Sequence, residues 1–482
     1  MCKICSLKPE RLWHYFNEIS KIPRTSLDEE RVIDYIAGIA DGLGLDNKRD
    51  SVNNLIVYKK AKKENRDKKI LTLQSHVDMV GVRSSGSNHD FGRDPIDIFY
   101  EDGYVKARET TLGADNGIGV ALMMAFMEED FDCVDLEFLF TINEESGMTG
   151  ARNLKEDFLR GRLLLNLDSE EWGCIYVSCA GASDSVITFS KGENASYDGY
   201  ISAQLCIDNL LGGHSGIEIH SGKRNANKLL ARVLRALSKV ADISVQDISG
   251  GTKRNAIPAS ARALFAIREN AFEKAESIVS QYGQIFKDEF GEIEKNFSLS
   301  LKKNGSSGQK GLTVERTRQL INLLMALPNG VIAMSPSIEG LVETSTNLGV
   351  IESGEDAFTI RILSRSSIDT SVDELNDRIN IITGLCGGKV ELTPGYPGWK
   401  PNLQSALLNT AKEAYKSKYG QYPEIKAIHA GLETAIIGKK FDNMDMISIG
   451  PNLYHPHSPD EKVCVETVEK LYDFTREIIK SL

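Results

Sequence analysis

The chain contains 482 residues, of which 41% are hydrophobic and 26% charged, a composition typical of soluble globular proteins. Its 68 acidic and 57 basic residues give a formal net charge of -11 at pH 7, which argues against nucleic acid as the main partner. No stretch reaches the roughly 18 apolar residues that a membrane-spanning helix requires, so we expect no membrane association.

The N-terminal sequence MCKICSLKPERLWHYFNEIS has neither the apolar run nor the small-residue cleavage site of a secretory signal. Eight cysteines are scattered along the chain, a pattern typical of reduced thiols in a cytosolic protein. Cys2 and Cys5 form a C-x-x-C pair without a second pair, so we expect no redox or zinc site there. The sequence therefore predicts a cytoplasmic protein.

Residues 1–183 alternate short apolar runs with helical patterns. The apolar runs at 70–75, 136–142 and 163–167 predict strands, and the apolar residues of 117–129 recur at the spacing of one helix face. Such alternation predicts an α/β fold with a mixed sheet covered by helices.

A second α/β domain is predicted from residue 184 to residue 395, because strand-like segments at 200–207 and 357–363 alternate there with a helical segment at 226–240. The polar segment 302–310 is interpreted as a connection between two halves of this domain. Beyond it, residues 396–482 return to helix and strand, with a strand at 445–449 and a final helix at 465–479.

Acidic and imidazole side chains follow the predicted strands at several points. Active sites of open α/β sheets lie at the carboxyl ends of strands, and carboxylate and imidazole groups gathered there could hold two divalent ions of the zinc type. Two such ions polarise a carbonyl group and activate water, which peptide hydrolysis requires. The candidate residues are His76, Asp78, Asp115, Glu144, Glu145, Asp168 and His457.

Two local patterns support this interpretation. In an extended segment the H-x-D spacing points His76 and Asp78 to the same side, where the carboxylate can orient the imidazole. Glu144 and Glu145 end the apolar run LEFLFTIN, where a charged pair is costly unless it has a function. One of them could bind metal while the other moves the proton of the attacking water.

The complete set of motifs resembles the aminoacylhistidine dipeptidases, the carnosinase-like branch of the dinuclear-metal aminopeptidase and carboxypeptidase superfamily. The matching motifs extend over essentially the whole chain and occur in the same order: SHVDMV, TTLGADNGIGVA, TINEESGMTGA, LLNLDSEE, GGHSG, GGTKRNAIP, HAGLE and HPHSPDE.

The resemblance implies a role for each residue of the candidate metal site. His76 and Asp168 would hold one ion, Glu145 and His457 the other, and Asp115 would bridge them. Glu144 would be the general base and acid, and Asp78 would orient His76. Without the resemblance, Asp115 could be a helix cap and Asp168 an acidic residue of a turn.

Because the ligands lie at 76–168 and then at 457, residues 184–395 would be an insertion in a catalytic domain built from 1–183 and 396–482. In the resembling family the insertion is a lid that closes over the metals. His214 would stabilise the oxyanion from this lid, and Arg365 offers a fork suited to the free carboxylate of the substrate.

Further substrate contacts are implied at Asn255, Asn347, Gly431 and Glu433. Relatives often continue the HAGLE motif with Cys-Gly, whereas this chain has Thr434 and Ala435. That departure leaves the metal ligands intact and concerns specificity.

The implied function is hydrolysis of unblocked dipeptides, Xaa-His and β-Ala-His among them, by a metal-bridging hydroxide with Glu144 as general base and acid. Two alternatives of the same superfamily stay open: a tripeptide aminopeptidase and an N-acyl amino acid deacylase. A third is a non-catalytic metal- or peptide-binding protein.

The expected cofactors are two divalent ions, zinc first, with manganese or cobalt as alternatives, because carboxylate and imidazole ligands accept all three. The expected partner is a small peptide substrate. The sequence leaves a homodimer open, since a lid histidine can serve its own subunit or a neighbouring one.

Overall fold

The computed structural model describes residues 4–63, 69–132, 134–192, 195, 197, 199–306 and 310–482. The described helices are α1 (Glu10–Ile19), α2 (Glu30–Gly42), α3 (Ala114–Glu128), α4 (Thr149–Asn153), α5 (Ala226–Leu237), α6 (Phe272–Phe290), α7 (Val314–Ala326), α8 (Asp369–Leu385), α9 (Ala406–Tyr419), α10 (Glu433–Lys440) and α11 (Val465–Ser481). None of these helices is long and apolar enough to cross a bilayer.

The described strands of the first half of the chain are β1 (Asp46–Arg49), β2 (Leu55–Lys59), β3 (Ile70–His76), β4 (Ile98–Glu101), β5 (Tyr104–Ala107), β6 (Asp135–Thr141), β7 (Leu163–Asn166), β8 (Cys174–Cys179), β9 (Gly181–Ser190), β10 (Tyr200–Asp208) and β11 (Gly213–His214). Those of the second half are β12 (Ile243–Gly250), β13 (Ala256–Ile257), β14 (Ala261–Arg268), β15 (Ser298–Ser306), β16 (Gly330–Met334), β17 (Val342–Ser353), β18 (Ala357–Ser366), β19 (Lys389–Tyr396), β20 (Glu424–Ile428), β21 (Asp445–Ser448), β22 (Leu453–Tyr454) and β23 (Lys462–Cys464).

The chain divides into two compact units. The first comprises Met1–Cys179, Trp399–Ala427 and Leu432–Leu482, and the second comprises Ala180–Gly398 and Ile428–Gly431. The lid function predicted for residues 184–395 stays a prediction.

The first unit contains an eight-stranded sheet in the order β1-β2-β6-β3-β7-β21-β8-β20. β3 pairs in parallel with β6 and β7, and β7 pairs in parallel with β21, whereas the β1–β2, β2–β6 and β21–β8 pairs are antiparallel. The mixed α/β sheet predicted from the sequence is confirmed.

The register of the parallel strands aligns their carboxyl ends. His76 at the end of β3 lies opposite Thr141 at the end of β6, and Asn166 at the end of β7 lies opposite Ser448 at the end of β21. Residues that follow these strands therefore emerge at one edge of the sheet.

Helix α3 packs against β3 and α1 in this unit. Its residues from Gly117 to Met127 are buried on every face, as expected for a helix that is apolar all round. Each fully buried large side chain, such as Phe126, contributes roughly 1.5–3 kcal/mol relative to its exposed state. This core holds the strand ends in place.

The second unit contains a nine-stranded sheet in the order β15-β10-β14-β12-β17-β18-β9-β19, with β16 paired to β17. Its pairs are antiparallel, and β12 joins β17 through one registered pair, Gly250 with Ile351. The apolar face of α5 packs against β10, β14 and β17. This helix begins where the side chain of Asn225 accepts hydrogen bonds from the backbone N–H groups of Asn227 and Lys228.

One predicted segment of polar sequence is part of a strand. The prediction of a connection at 302–310 is wrong for residues 302–306, which belong to β15 at the edge of the sheet, while 307–309 lie outside the described residues.

Candidate metal centre

The seven residues predicted for the metal site all belong to the first unit, and the structure gathers them at the carboxyl edge of its sheet. His76 ends β3, Glu144 and Glu145 follow β6, and Asp168 follows β7. Three groups of ligand atoms lie within 4.8 Å of one another: His76 with Asp115 and Asp168, Asp115 with Glu145 and His457, and His76 with Glu144 and Glu145.

Asp115 occupies the centre of the cluster. Its Oδ1 atom lies 3.2 Å from Nε2 of His76, and its Oδ2 atom lies 3.1 Å from Nε2 of His457. The two oxygens of one carboxylate thus face two different imidazoles, which is the arrangement that a carboxylate bridging two ions requires.

Each of the two imidazoles also has a second carboxylate beside it, that of Asp168 for His76 and that of Glu145 for His457. Oδ1 of Asp168 lies 3.2 Å from Nε2 of His76, and Oε1 of Glu145 lies 2.9 Å from Nε2 of His457. Oε1 of Glu145 is buried and has Nε2 of His457 as its close polar neighbour. A buried carboxylate oxygen beside an imidazole nitrogen is a pair of ligand atoms that a divalent cation can bind.

Asp78 is fully buried behind His76. Its Oδ1 atom lies 3.4 Å from Nδ1 of His76, and its carboxylate accepts hydrogen bonds from the backbone N–H groups of Glu144 and Glu145 at 3.0 and 3.2 Å. Burial alone would raise the pKa of Asp78, but the hydrogen bond with His76 and these backbone donors lower it below its ordinary value. The carboxylate therefore stays ionised, orients the imidazole and leaves Nε2 facing the cluster.

The electrostatics of the cluster favour positive charge at its centre. Hydrogen bonds with Asp115 and Glu145 raise the pKa of His457 to about 11, and burial raises the pKa of Glu144 well above its ordinary value. Burial, followed by the nearby Asp115 and Asp168 carboxylates, raises the pKa of Glu170 to about 8. So many acidic groups in one pocket are unfavourable unless cations neutralise them. The donor set therefore fits two divalent metal ions.

Two side chains at this site carry no signal of their own in the sequence. Asn116 donates hydrogen bonds to the backbone oxygen of Leu167 at 2.9 Å and to Oδ1 of Asp168, so it orients the carboxylate of Asp168. Glu170 follows Asp168 by two residues, and the acidic run DSEE contains it, but an acidic run alone is usually a solvated loop.

Glu433 was predicted as a substrate contact, and the structure places it under the site. Its side chain is 0% exposed and accepts hydrogen bonds from Nε2 of Gln74 at 2.7 Å and Oγ1 of Thr141 at 2.5 Å. Burial raises its pKa to about 8. These contacts favour a supporting role beneath the strand ends.

The remaining predicted residues belong to the second unit. The Nδ1 atom of His214 accepts hydrogen bonds from the backbone N–H groups of Gly216 and Ile217 at 3.2 and 3.1 Å. These bonds fix the tautomer that carries its proton on Nε2. Burial, and next the positive charge of Arg365, lower the pKa of His214, so the imidazole is neutral and offers one N–H donor.

Arg365 is 6% exposed and lies close to this histidine. Its Nη1 atom donates a hydrogen bond to Oη of Tyr396 at 3.0 Å, and its Nε atom is buried without a hydrogen-bond partner among the described residues. Gly431 packs against the ring of Tyr396, where a Cβ atom would lie 2.6 Å from Cε2. An unpaired guanidinium donor fits an anionic ligand.

The two predicted asparagines differ. Asn255 is exposed, and its backbone oxygen accepts a hydrogen bond from the N–H of Ser215 at 2.9 Å. Asn347 is 1% exposed, and its amide donates to the carbonyl oxygens of Arg254 and Ala256 at 3.1 and 2.8 Å. Asn347 therefore holds the loop that carries Asn255.

His429 is a buried member of this group that the sequence did not single out. Its Nε2 atom lies 2.7 Å from Oγ of Ser345. Burial, followed by the positive charge of Arg365, lowers its pKa to about 3, which keeps it neutral. Its backbone oxygen requires glycine at position 216, because a Cβ atom there would lie 2.3 Å away.

Comparison with known proteins identifies the family. A family model described as Peptidase family M28 matches residues 54–187, and one described as Peptidase dimerisation domain matches residues 207–294. The cytosol non-specific dipeptidase of Escherichia coli strain K12 is 39% identical over 484 residues, covering 100% of this chain and 99% of the relative. The chain belongs to this dipeptidase family.

Solved structures agree with that membership. The aminoacylhistidine dipeptidase from Vibrio alginolyticus is 38% identical and superposes with a TM-score of 0.93 over 100% of this chain and 98% of that one. Aminopeptidase PepT from Bacillus cereus is 17% identical with a TM-score of 0.56 over 98% of this chain and 99% of that one, which shows a shared fold alone. The resemblance stated from the motifs is confirmed, and as a member of the dipeptidase family the protein is a metallopeptidase.

Proposed function

We propose that the protein uses two divalent metal ions, with zinc as the expected metal, to hydrolyse unblocked dipeptides. Its proposed substrates include Xaa-His and β-Ala-His. The observation that carries the proposal is the placement of Asp115 between His76 and His457, with one oxygen toward each imidazole. The names of the two relatives support dipeptides as the substrate class, one as a non-specific dipeptidase and the other as an aminoacylhistidine dipeptidase.

In this proposal His76 and Asp168 would hold one ion, Glu145 and His457 would hold the other, and Asp115 would contact both. Bound there, the ions would polarise the scissile carbonyl and lower the pKa of the attacking water. Asp78 keeps His76 oriented through the contact between its carboxylate and Nδ1.

Glu144 accepts the proton of the attacking water and then donates it to the leaving amine. The support is its position: its backbone N–H is fixed by Asp78, and its carboxylate lies in a pocket that raises its pKa. A raised pKa brings a carboxylate closer to the pH at which it can both accept and donate a proton.

The second unit supplies the groups that bind the rest of the dipeptide. The neutral imidazole of His214, with its proton on Nε2, is suited to donate to the carbonyl oxygen as negative charge develops on it. Arg365 binds the free carboxylate, and Asn255 and Gly431 contribute backbone or polar contacts.

We further propose that the protein is cytoplasmic and forms a homodimer. The support is the name of the Escherichia coli relative and the match of residues 207–294 to the peptidase dimerisation model.

The experiment that tests the function uses metal-stripped protein restored with zinc, manganese or cobalt. The substrates are Ala-His, β-Ala-His, Ala-Ala-Ala and N-acetyl-Ala. Metal-dependent cleavage of the free dipeptides alone supports the proposal. Turnover confined to the tripeptide or to the acetylated amino acid would replace it with aminopeptidase or deacylase activity, and two bound ions without any turnover would indicate a binding protein.

A further inference from the structure

The carboxylate of Glu461 receives four consecutive backbone N–H groups. Oε2 accepts from Leu112 at 2.7 Å and Gly113 at 3.0 Å, and Oε1 accepts from Ala114 at 2.8 Å and Asp115 at 3.3 Å. The side chain is only 2% exposed. One buried carboxylate therefore fixes the backbone of the loop that ends at Asp115.

Arg24 holds the same loop from another side. It is 2% exposed and donates hydrogen bonds to the backbone oxygens of Val77, Asp78 and Gly113 at 2.8, 3.3 and 2.5 Å. Glycine at 113 makes room for the guanidinium, since a Cβ atom there would lie 2.6 Å from Nη2. Arg24 thus ties the segment after β3 to the loop that carries Asp115.

These contacts connect three parts of the metal centre. Glu461 lies four residues after His457 and closes a turn in which its own N–H donates to the oxygen of Ser458 at 3.1 Å. The backbone of Asp115 is non-helical, with φ -80° and ψ 109°, so the helix that follows does not by itself fix the direction of its carboxylate. The positions of His457 and Asp115 are instead linked through Glu461.

We propose that Glu461, assisted by Arg24, is a positioning residue that sets the spacing of the two metal sites by fixing the Asp115 backbone relative to the His457 segment. The inference rests on the proposed function in one respect, the assignment of Asp115 and His457 as metal ligands. Replacing a residue that orients metal ligands without binding the metal itself typically changes metal affinity by about 10- to 100-fold.

If Glu461 only stabilised the fold, its replacement would lower stability without a specific effect on metal affinity. A buried carboxylate that accepts backbone hydrogen bonds stabilises any fold, and Glu137 provides the matched case in the same unit. Glu137 is buried and accepts from the N–H groups of Arg160 and Gly161 at 2.9 and 3.1 Å and from Oγ1 of Thr72 at 2.9 Å. It lies on β6, two positions after Asp135, where the pairing with β3 begins, and four positions before Thr141, where that pairing ends.

The experiment compares Glu461→Gln with Glu137→Gln in the full-length protein. Metal-stripped samples are titrated with zinc and with cobalt, and the measurements are the two dissociation constants, the visible spectrum of the cobalt form and the thermal midpoint. We expect both variants to lose thermal stability. Only Glu461→Gln should weaken one of the two zinc affinities by about 10- to 100-fold and change the cobalt spectrum, with turnover partly recovered at high zinc.

Equal zinc affinities in wild type, Glu461→Gln and Glu137→Gln would overturn the inference, as would equal weakening in both variants. If Glu461→Gln does not fold, Glu461→Asp and Arg24→Lys replace it under the same criteria, because both retain the charge while altering reach or fork geometry. A wild-type protein that binds fewer than two ions would contradict the proposed function itself, and that result is visible before any variant is measured.

Discussion

The polar groups of the two units have opposite electrostatic character. In the first unit, carboxylates surround His76 and His457, and hydrogen bonds with Asp115 and Glu145 raise the pKa of His457 to about 11. In the second unit, burial and the positive charge of Arg365 lower the pKa of His429 to about 3. The same side chain is thus stabilised as a cation in one unit and as a neutral group in the other.

The difference shows what each group can bind. The carboxylate cluster stabilises positive charge and fits metal ions, whereas the histidines beside Arg365 stabilise negative charge and fit an anion. A dipeptide undergoing hydrolysis presents both a developing oxyanion and a free carboxylate. Four substitutions test this contrast.

The largest effect is expected for Glu144→Gln, which removes the proposed proton carrier. We expect kcat to fall by about 10²- to 10⁴-fold while both ions remain bound, with Glu101→Gln, an exposed residue of β4, as the control. The measurements are steady-state kinetics and metal content. Loss of an ion would instead identify Glu144 as a ligand, which its grouping with His76 and Glu145 makes a real alternative.

His214→Ala removes the neutral Nε2–H donor of the second unit. We expect kcat to fall by about 10²- to 10³-fold, the range for loss of one oxyanion donor, with unchanged metal content. His220→Ala, an exposed histidine of the same loop, should keep the wild-type kcat. A kcat within about threefold of wild type in His214→Ala would remove this residue from the mechanism.

Arg365→Lys keeps the positive charge and removes the bidentate fork. Since hydrogen bonds to charged groups contribute about 1.5–3 kcal/mol, we expect kcat/KM for Ala-His to fall by about 10- to 100-fold. The measurement is the ratio of kcat/KM for Ala-His to that for its C-terminal amide. This ratio should fall in the variant, and an unchanged ratio would show that Arg365 does not bind the substrate carboxylate.

The smallest effect concerns acid stability. Because the pKa of His429 is about 3 in the folded protein and 6.5 ordinarily, the unfolded chain binds the additional proton between these values, and folding stability is lost as pH falls below 6.5. Urea unfolding should show that His429→Gln lowers this loss by about 1 kcal/mol per pH unit. An unchanged slope in His429→Gln would assign the acid sensitivity elsewhere.

The sheet and the set of candidate metal-site residues could be predicted from the sequence for one physical reason. Parallel strands end at a common edge, so acidic residues placed after β3, β6 and β7 converge whatever the rest of the chain does. The roles of these residues, including the division into two ion sites, stay predictions that the metal titrations address.

Other features of the structure could not be predicted from the local sequence. Glu461 acts on the backbone of residues more than 340 positions earlier, and Arg24 acts on carbonyl oxygens, so neither contact depends on a recognisable side-chain partner. The error at 302–306 has a different cause. These polar residues form part of the edge strand β15, and an edge strand tolerates polar and charged side chains that a central strand excludes.

The first unit is built from separate segments of the chain, so neighbouring strands of its sheet are synthesised at different times. About 280 residues separate β7 from its parallel neighbour β21, and synthesis at roughly 5–20 residues per second leaves an interval of about 14–56 s between them. During that interval the nascent chain holds His76, Asp115, Glu145 and Asp168 without His457. The set of residues proposed as metal ligands is complete only once His457 has been made, so the proposed metal centre cannot assemble on the first segment of this unit alone.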